Sequence, residues 1–585
     1  MINLTIDGRP IAVEEGTTVL EAARTMGVQI PTLCYLKNIS KIGACRMCLV
    51  EVKGARGLQT SCTIPASEGM EVKTNTPTVR GARRLVLELL LSDHNMSCPT
   101  CIKVDNCELL RQARAHGISE VEYTGEHHKA RVDCSSPSLS VDASKCVLCQ
   151  RCVAVCREVQ GVSAISVINR GFESAISPFF EAGLDEAACT MCGQCTLVCP
   201  TGALTEHDDT EAVWKVLMDP TKHVVVQTAP AIRVSIGECF DMEPGTVSTG
   251  QMVAGLRGLG FDRVFDTNFS ADLTIIEEAS ELVHRLQNNG TLPLITSCSP
   301  GWVKYAEHFY PEVLQNLSTC KSPQQMFGAM AKTYYAEKAE IDPKDIVVVS
   351  IMPCTAKKYE ASREEMNSSG FQDVDFVLTT RELGRMLKQG GINLKRLPEE
   401  EFDAPLGLST GAGSIFGVTG GVMEAALRTA ASWLDGGDLA RIPFIEVRGL
   451  EGIREATVTV AGIELKLGVA NGLASAGKLM ERIKKGEAQY HFVEIMGCPG
   501  GCIGGGGQPI PADGPDYLDE VRAARARAIY SIDERMTVRR SHENLAIQQL
   551  YKEYLGAPAS HKAHHLLHTH YKVRTPVGIR TTKQK

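Results

Sequence analysis

Apolar residues in this chain fall in short runs of strand length, separated by longer stretches with helical spacing. Ile2–Ile6 and Ile11–Val13 read as two strands joined at Asp7-Gly8, a favoured hairpin turn. Thr18–Met26 continues with helical spacing, and Arg83–Leu91 has a dense apolar face that predicts a helix. Further on, His223–Val226, Arg263–Phe265, Leu292–Ile295, Ile346–Ile351, Phe376–Leu378, Phe444–Val447 and Phe492–Ile495 read as buried strands. Helical stretches such as Ala271–Leu286 lie between them, so an open α/β sheet is expected. Tyr517–Ile532 and Asn544–Tyr554 predict two further helices near the end of the chain.

Ligands of such sheets sit beyond the carboxyl ends of the strands. Three cysteine segments occupy those ends: Thr296-Ser297-Cys298-Ser299-Pro300, Met352-Pro353-Cys354-Thr355-Ala356-Lys357 and Met496-Gly497-Cys498-Pro499-Gly500-Gly501-Cys502. Three distant segments are therefore expected to converge on one soft-metal centre.

The 585 residues suggest three to five domains at roughly 100–200 residues each. A net charge of −8 argues against nucleic acid as a general partner. No apolar run approaches the roughly 18 residues of a membrane span, and Met1–Gly8 lacks the features of a signal peptide. A cytoplasmic location is the expectation. Sixteen of the 22 cysteines precede residue 200, mostly at two-residue spacings. In a long chain without an export signal, such clusters are metal ligands or redox groups rather than disulfides.

Residues 1–78 place Cys34, Cys45, Cys48 and Cys62 as C-x10-C-x2-C-x13-C, close to a 2Fe-2S pattern but with a longer first gap. Residues 79–134 carry His94, Cys98, Cys101 and Cys107, a set that zinc and an iron–sulfur cluster accept almost equally by spacing. Its neighbours favour iron. Residues 135–210 hold a repeat, Cys146-x2-Cys149-x2-Cys152-x3-Cys156 and Cys189-x2-Cys192-x2-Cys195-x3-Cys199-Pro200. In the two-cluster ferredoxin pattern each fourth cysteine serves the other cluster. That assigns Cys146, Cys149, Cys152 and Cys199 to one 4Fe-4S cluster and Cys189, Cys192, Cys195 and Cys156 to a second.

The glycine runs Ser409–Gly413, Val418–Val422 and Ile503–Gly507 match no phosphate-binding loop. They suit backbone that approaches a buried cofactor. Five histidines between His561 and His570 have no cysteines or carboxylates beside them and read as a surface tail. Cys134, Cys239 and Cys320 lack motif partners and read as structural.

The three cysteine segments resemble the signature loops of the FeFe-hydrogenases, and the whole chain resembles their long multi-cluster form. The resemblance implies an α+β multidomain chain. Its parts are a β-grasp 2Fe-2S domain (1–78), a histidine-ligated 4Fe-4S domain (79–134) and a two-cluster ferredoxin domain (135–210). A large α/β H-cluster domain (211–512) and a helical small-subunit-like segment (513–585) complete it.

The family's H-cluster is a 4Fe-4S cluster bridged by cysteine to a two-iron unit bearing CO, cyanide and a dithiolate. Cys354, Cys498 and Cys502 match its ligands, with Cys502 the bridge. Lys357 matches the lysine facing cyanide, and Ala229, Pro230, Gln324, Met352 and Met496 match residues lining the two-iron unit. Cys298, Glu278, Ser318, Glu281 and Arg285 match the family's proton route. Residues 278, 281 and 285 share one helix face by spacing, which by itself fits a solvated charged face equally well.

Ser299 departs from the family pattern, which has a ligating cysteine there. Three arrangements are compatible: Ser299 ligates as an alkoxide, Cys298 turns inward as ligand, or the position is a variant in an otherwise normal enzyme. The implied activity is reversible H2 oxidation and proton reduction. Electrons then pass through one 2Fe-2S and three accessory 4Fe-4S clusters to an NAD(P)-binding flavoprotein in a hetero-oligomeric complex. The alternatives are a ferredoxin-linked hydrogenase and a low-turnover H2 sensor.

Overall fold

The structure is a computed structural model that describes residues 1–123, 125–127, 131–435, 448–460 and 462–574. The N-terminal sheet has five strands, in the order Arg9–Val13, Ile2–Ile6, Glu71–Lys73, Leu49–Val52, Gln59–Thr60. Ile2–Ile6 pairs antiparallel with its hairpin partner and parallel with Glu71–Lys73. Alternation puts Leu4, Ile6 and Val13 on one face, where Val19, Leu20, Ala22 and Ala23 of the helix Val19–Thr25 cover them. Thr18 and Glu21 start that helix with a reciprocal capping box.

The helix Pro77–Ser92 leads into the His94 segment. In the repeat region, Leu139–Asp142 pairs antiparallel with Leu204–Glu206 and so ties the two cysteine halves together.

The single sheet expected for the large region is two four-stranded sheets. The first is parallel throughout, in the order Arg263–Asp266, His223–Thr228, Ile346–Met352, Phe376–Thr379. The second runs Leu294–Ile295, Phe492–Met496, Ile463–Asn471, Ile453–Val460, and its last pair is an antiparallel hairpin. That hairpin alternates apolar Ala456, Val458 and Val460 with exposed polar residues, so a search for continuous apolar runs passes over it. Pro293 has no N–H to give the ladder, and the strand expected from Leu292 begins at Leu294. Phe444–Val447, expected as a strand, lies outside the described residues.

The helix Thr267–Gln287 starts at Asp266, whose carboxylate accepts the Asn268 N–H at 2.9 Å, and outruns the expected Ala271–Leu286 at both ends. Its first thirteen residues, Thr267–Ala279, are buried on every side, because both sheets and the C-terminal helices surround it. Leu518–Arg535 forms the penultimate long helix; the shorter Leu545–Leu550 ends in a wider turn over Tyr551–Leu555. Among the described residues no helix is long and apolar enough to cross a membrane.

Candidate active site and cluster-binding cavities

The three cysteine segments do meet, but from two sheets. Cys354 follows a strand of the first sheet; Cys298 and Cys498 follow strands of the second. They enclose a small cavity of about 70 Å³, lined by Cys298, Ser299, Cys354, Cys498 and Cys502. Ala229, Pro230, Gln324, Met352, Lys357 and Met496 line the same space. All the residues that the sequence proposes for the two-iron unit are thus in one cavity. The Cys354 and Cys498 thiols are hydrogen-bonded to each other.

Lys357 Nζ donates to the Cys298 carbonyl at 3.1 Å and pairs with Glu360 Oε2 at 2.9 Å. Glu360 also accepts from Ser322 Oγ at 2.8 Å and Gln324 Nε2 at 3.1 Å. Sequence reasoning missed Glu360, although its i, i+3 spacing from Lys357 was a signal. Gln324 Oε1, facing the cavity, is a buried acceptor without a protein partner. An apolar cavity with soft thiols, methionines, one buried ammonium and one unspent amide suits a compact, partly anionic metal group.

Ser299 Oγ accepts the Gly497 N–H at 3.0 Å. A hydroxyl oxygen can take that bond and still present a lone pair to the cavity. Cys298 is half-buried, and desolvation first, then the Glu278 carboxylate, pushes its thiol well above the usual range.

Glu278 is buried, and burial followed by the nearby Glu281 charge pushes its carboxyl up to about 8, with the Ser318 hydroxyl opposing. Ser318 Oγ donates to Glu281 Oε2 at 2.9 Å, and Arg285 Nη2 meets Glu281 Oε1 at 2.6 Å. Arg285 is fixed further by the carbonyls of Thr291, Asn316 and Leu317. The charged face is therefore turned into the protein, because loop Ser318–Cys320 packs over it. A solvated face is excluded.

The remaining sets also gather. Cys34, Cys45, Cys48 and Cys62 are buried free thiols, with Cys34 beside Cys45 and Cys62, and Cys48 Sγ 3.2 Å from Cys62 Sγ. Four thiols this close suit two irons sharing four thiolates. Cys98 and Cys101 lie near enough to Cys107 to raise its thiol, burial being the larger cause, and the buried His94 Nδ1 has no protein partner. Cys146, Cys149, Cys152 and Cys199 line one cleft; Cys156, Cys189, Cys192 and Cys195 line another, of about 30 Å³. Cys34, Cys45, Cys107 and Cys149 belong to one apolar core, so three cluster sites adjoin each other there.

Within Ile503–Gly507, Gly505 lines the thiol cavity, and Gly506 serves a second close approach: a Cβ there would lie 2.3 Å from the Cys192 carbonyl and 2.6 Å from Gly193 Cα. Two expectations are corrected. Cys134 is exposed and has no packing role. The histidine tail is only partly superficial: His561, His564, His565 and His570 are exposed, while His568 is buried among Thr319 and Glu277.

Thiol-lined cavities strung towards a small apolar cavity with a buried lysine define an iron–sulfur oxidoreductase. The chain belongs to the FeFe-hydrogenase family. Residues 222–506 match the model of the iron-only hydrogenase large subunit, C-terminal domain, and 519–574 that of the iron hydrogenase small subunit. Residues 1–77 match a 2Fe-2S iron–sulfur cluster binding domain. Residues 83–122 match the NADH-ubiquinone oxidoreductase-G iron–sulfur binding region, and 136–205 the ferredoxin-like domain of NADH-quinone oxidoreductase subunit 3.

Among named relatives, the NADP-reducing hydrogenase subunit HndD of Solidesulfovibrio fructosivorans is 50% identical over 98% of this chain and 99% of its own. Iron hydrogenase 1 of Clostridium pasteurianum is 42% identical over 98% of this chain and 100% of its own. A solved [FeFe]-hydrogenase structure that describes stepwise H-cluster assembly superposes with a TM-score of 0.56 at 47% identity. It covers 63% of this chain and 99% of the solved one. The protein is an iron hydrogenase with iron–sulfur domains upstream of its catalytic domain.

Proposed function

We propose that this chain is the catalytic subunit of an NADP-linked hydrogenase complex, interconverting H2 with protons and electrons. The observation that carries it is the single cavity holding Cys354, Cys498, Cys502, Ser299 and Lys357 beside the buried Glu278–Ser318–Glu281–Arg285 series. Cys354, Cys498 and Cys502 would hold the H-cluster, with Ser299 at the fourth position and Cys502 as bridge. When bound, that group supplies an open iron for H2 and a store for electrons.

Lys357, anchored by Glu360, places an ammonium on the cyanide side. Cys298 passes protons between the cavity and Glu278. At neutral pH a carboxyl titrating near 8 is protonated and can deliver its proton, then accept one from Glu281 through Ser318. Arg285 orients Glu281 at the outer end of this series.

Electrons would leave through the clusters at Cys156–Cys195 and Cys146–Cys199. From there they reach the His94 cluster and the 2Fe-2S cluster: one 2Fe-2S and three 4Fe-4S groups in all. Domains 1–78, 79–134, 135–210, 211–512 and 513–585 separate these tasks, with the histidine-ligated and β-grasp domains outermost. The NADP-reducing relative supports a cytoplasmic complex in which a separate flavoprotein carries NADP. Ser299 favours one second reading, an H2 sensor of low turnover.

After H-cluster maturation, H2 evolution from reduced methyl viologen separates the two readings. CO and cyanide infrared bands with turnover that falls about 10²-fold or more in Glu281→Gln are expected for the enzyme. Bands without turnover would mean a sensor. Isolation of the native complex without a flavoprotein would remove the NADP linkage.

A further inference from the structure

The C-terminal segment lies along the loop that completes the proposed proton relay. Lys321 N donates to the Leu567 carbonyl at 2.8 Å, and Thr569 N to the Thr319 carbonyl at 2.7 Å. Cys320 and His568 form an antiparallel bridge. Tyr571 closes the clamp with its hydroxyl on the Ser318 carbonyl at 2.5 Å.

At the centre of that clamp sits His568. Its Nδ1 is 2.8 Å from Thr319 Oγ1 and its Nε2 is 3.2 Å from Glu277 Oε2. Glu277 is buried and also accepts from the Tyr551 hydroxyl and, at 2.9 Å, from the Ala559 N–H. Nε2 thus faces a carboxylate and Nδ1 faces the Thr319 hydroxyl, which can donate or accept. Thr319 in turn donates its own N–H to Glu281 Oε2 at 3.1 Å. His564, exposed, stacks on the outer face of His568 at 4.6 Å. The other titratable groups facing this unit are Cys320, Glu281, Glu278 and Arg285.

We propose that His568 is a positioning residue of the proton relay: braced on Glu277, it holds Thr319 so that its N–H stays on the Glu281 carboxylate. This rests on the relay reading given above. Donors on a carboxylate stabilise its charged form, so the pH dependence of turnover reports whether the Thr319 N–H is in place. The histidine nearest the relay is thus part of its geometry, while its four neighbours remain solvent-facing.

The matured full-length enzyme tests this with three variants. His568→Gln reaches Glu277 but not Thr319; Thr319→Val removes only the hydroxyl; His568→Asn keeps an acceptor where Nδ1 stands. His568→Gln and Thr319→Val are expected to keep the CO and cyanide bands and to slow turnover on the order of tenfold to a hundredfold. Both should move the acidic limb of the pH–rate profile upward, and His568→Asn should restore both rate and limb. An unchanged limb in His568→Gln with intact bands overturns the proposal. So does an equal loss in all three variants, which marks a purely structural role. If His568→Gln loses the bands, Thr319→Val, which leaves the His568–Glu277 pair in place, decides in the same way. Glu281→Gln is the control: wild-type turnover there would remove the relay reading itself, whatever His568 does.

Discussion

Thr355, in the second cysteine segment, donates its hydroxyl to the Met191 carbonyl in the ferredoxin-type loop at 2.7 Å. Around this bond the two domains touch at backbone distance. Thr196 Oγ1 reaches the Gly506 carbonyl at 3.0 Å, and Gln194 Nε2 reaches that of Gly504 at 2.8 Å. Arg381 adds a buried pair with Glu206 at 2.6 Å. The last accessory cluster site is thereby held against the loop that carries Cys354.

That contact predicts the behaviour of Gly506→Ala. Its methyl would enter the space of the Cys192 carbonyl and Gly193 Cα, both backbone, so neither can swing away. The domains must part by a fraction of an ångström or more. H2 oxidation with an artificial acceptor should fall several-fold, while H2/D2 exchange, which uses no electron wire, stays near wild type. Equal losses in both assays would place the damage in the H-cluster cavity instead.

Glu278 gives a pH signature in stability. Its folded-state value of about 8 lies above the ordinary 4.5, so the native state binds the extra proton between those values. Stability is then full below about 4.5, where both states are protonated, and declines as pH rises towards 8. Glu278→Gln removes the titration. Its melting temperature should exceed that of wild type at pH 8.5 and match it near pH 5. The same difference at both pH values would contradict a buried, titrating carboxyl.

His94 predicts a potential. Its buried Nδ1 has no protein partner, and an imidazole ligand is neutral where a thiolate is anionic. His94→Cys should lower the midpoint potential of one 4Fe-4S signal in an EPR-monitored redox titration, leaving the other signals in place. A zinc atom in the purified protein at this site, with one 4Fe-4S cluster fewer, would sink the assignment.

Ser299→Cys should convert a hard, weakly acidic donor into a thiolate without disturbing its neighbours, since Gly497 N–H can donate to sulfur as it does to oxygen. Loss of iron from the H-cluster site to a chelator is expected to slow by about tenfold. Iron loss at the wild-type rate would mean that position 299 does not ligate.

How much of this was legible in advance differs from residue to residue. The accessory thiol groups follow from spacing, because two or three residues between cysteines bring their side chains towards one point. Cys146 to Cys199 could be grouped without a fold. The fully apolar strands Ile346–Met352 and Phe492–Met496 were legible for a similar reason: burial on both faces leaves a continuous signature. Ile453–Val460 escaped because exposed polar positions alternate with its buried ones and dilute that signature.

The sequence by itself determined the cysteine groups, the three cysteine segments and the helix that carries Glu278, Glu281 and Arg285. Only the tertiary structure decided that the segments arrive from two sheets, that the acidic face turns inward, and that His568 seats against Thr319. Those outcomes depend on which elements pack over which. A charged helix face is solvated or buried according to what the rest of the chain lays on it. Here that covering is loop Ser318–Cys320, clamped in turn by residues almost 250 positions further on.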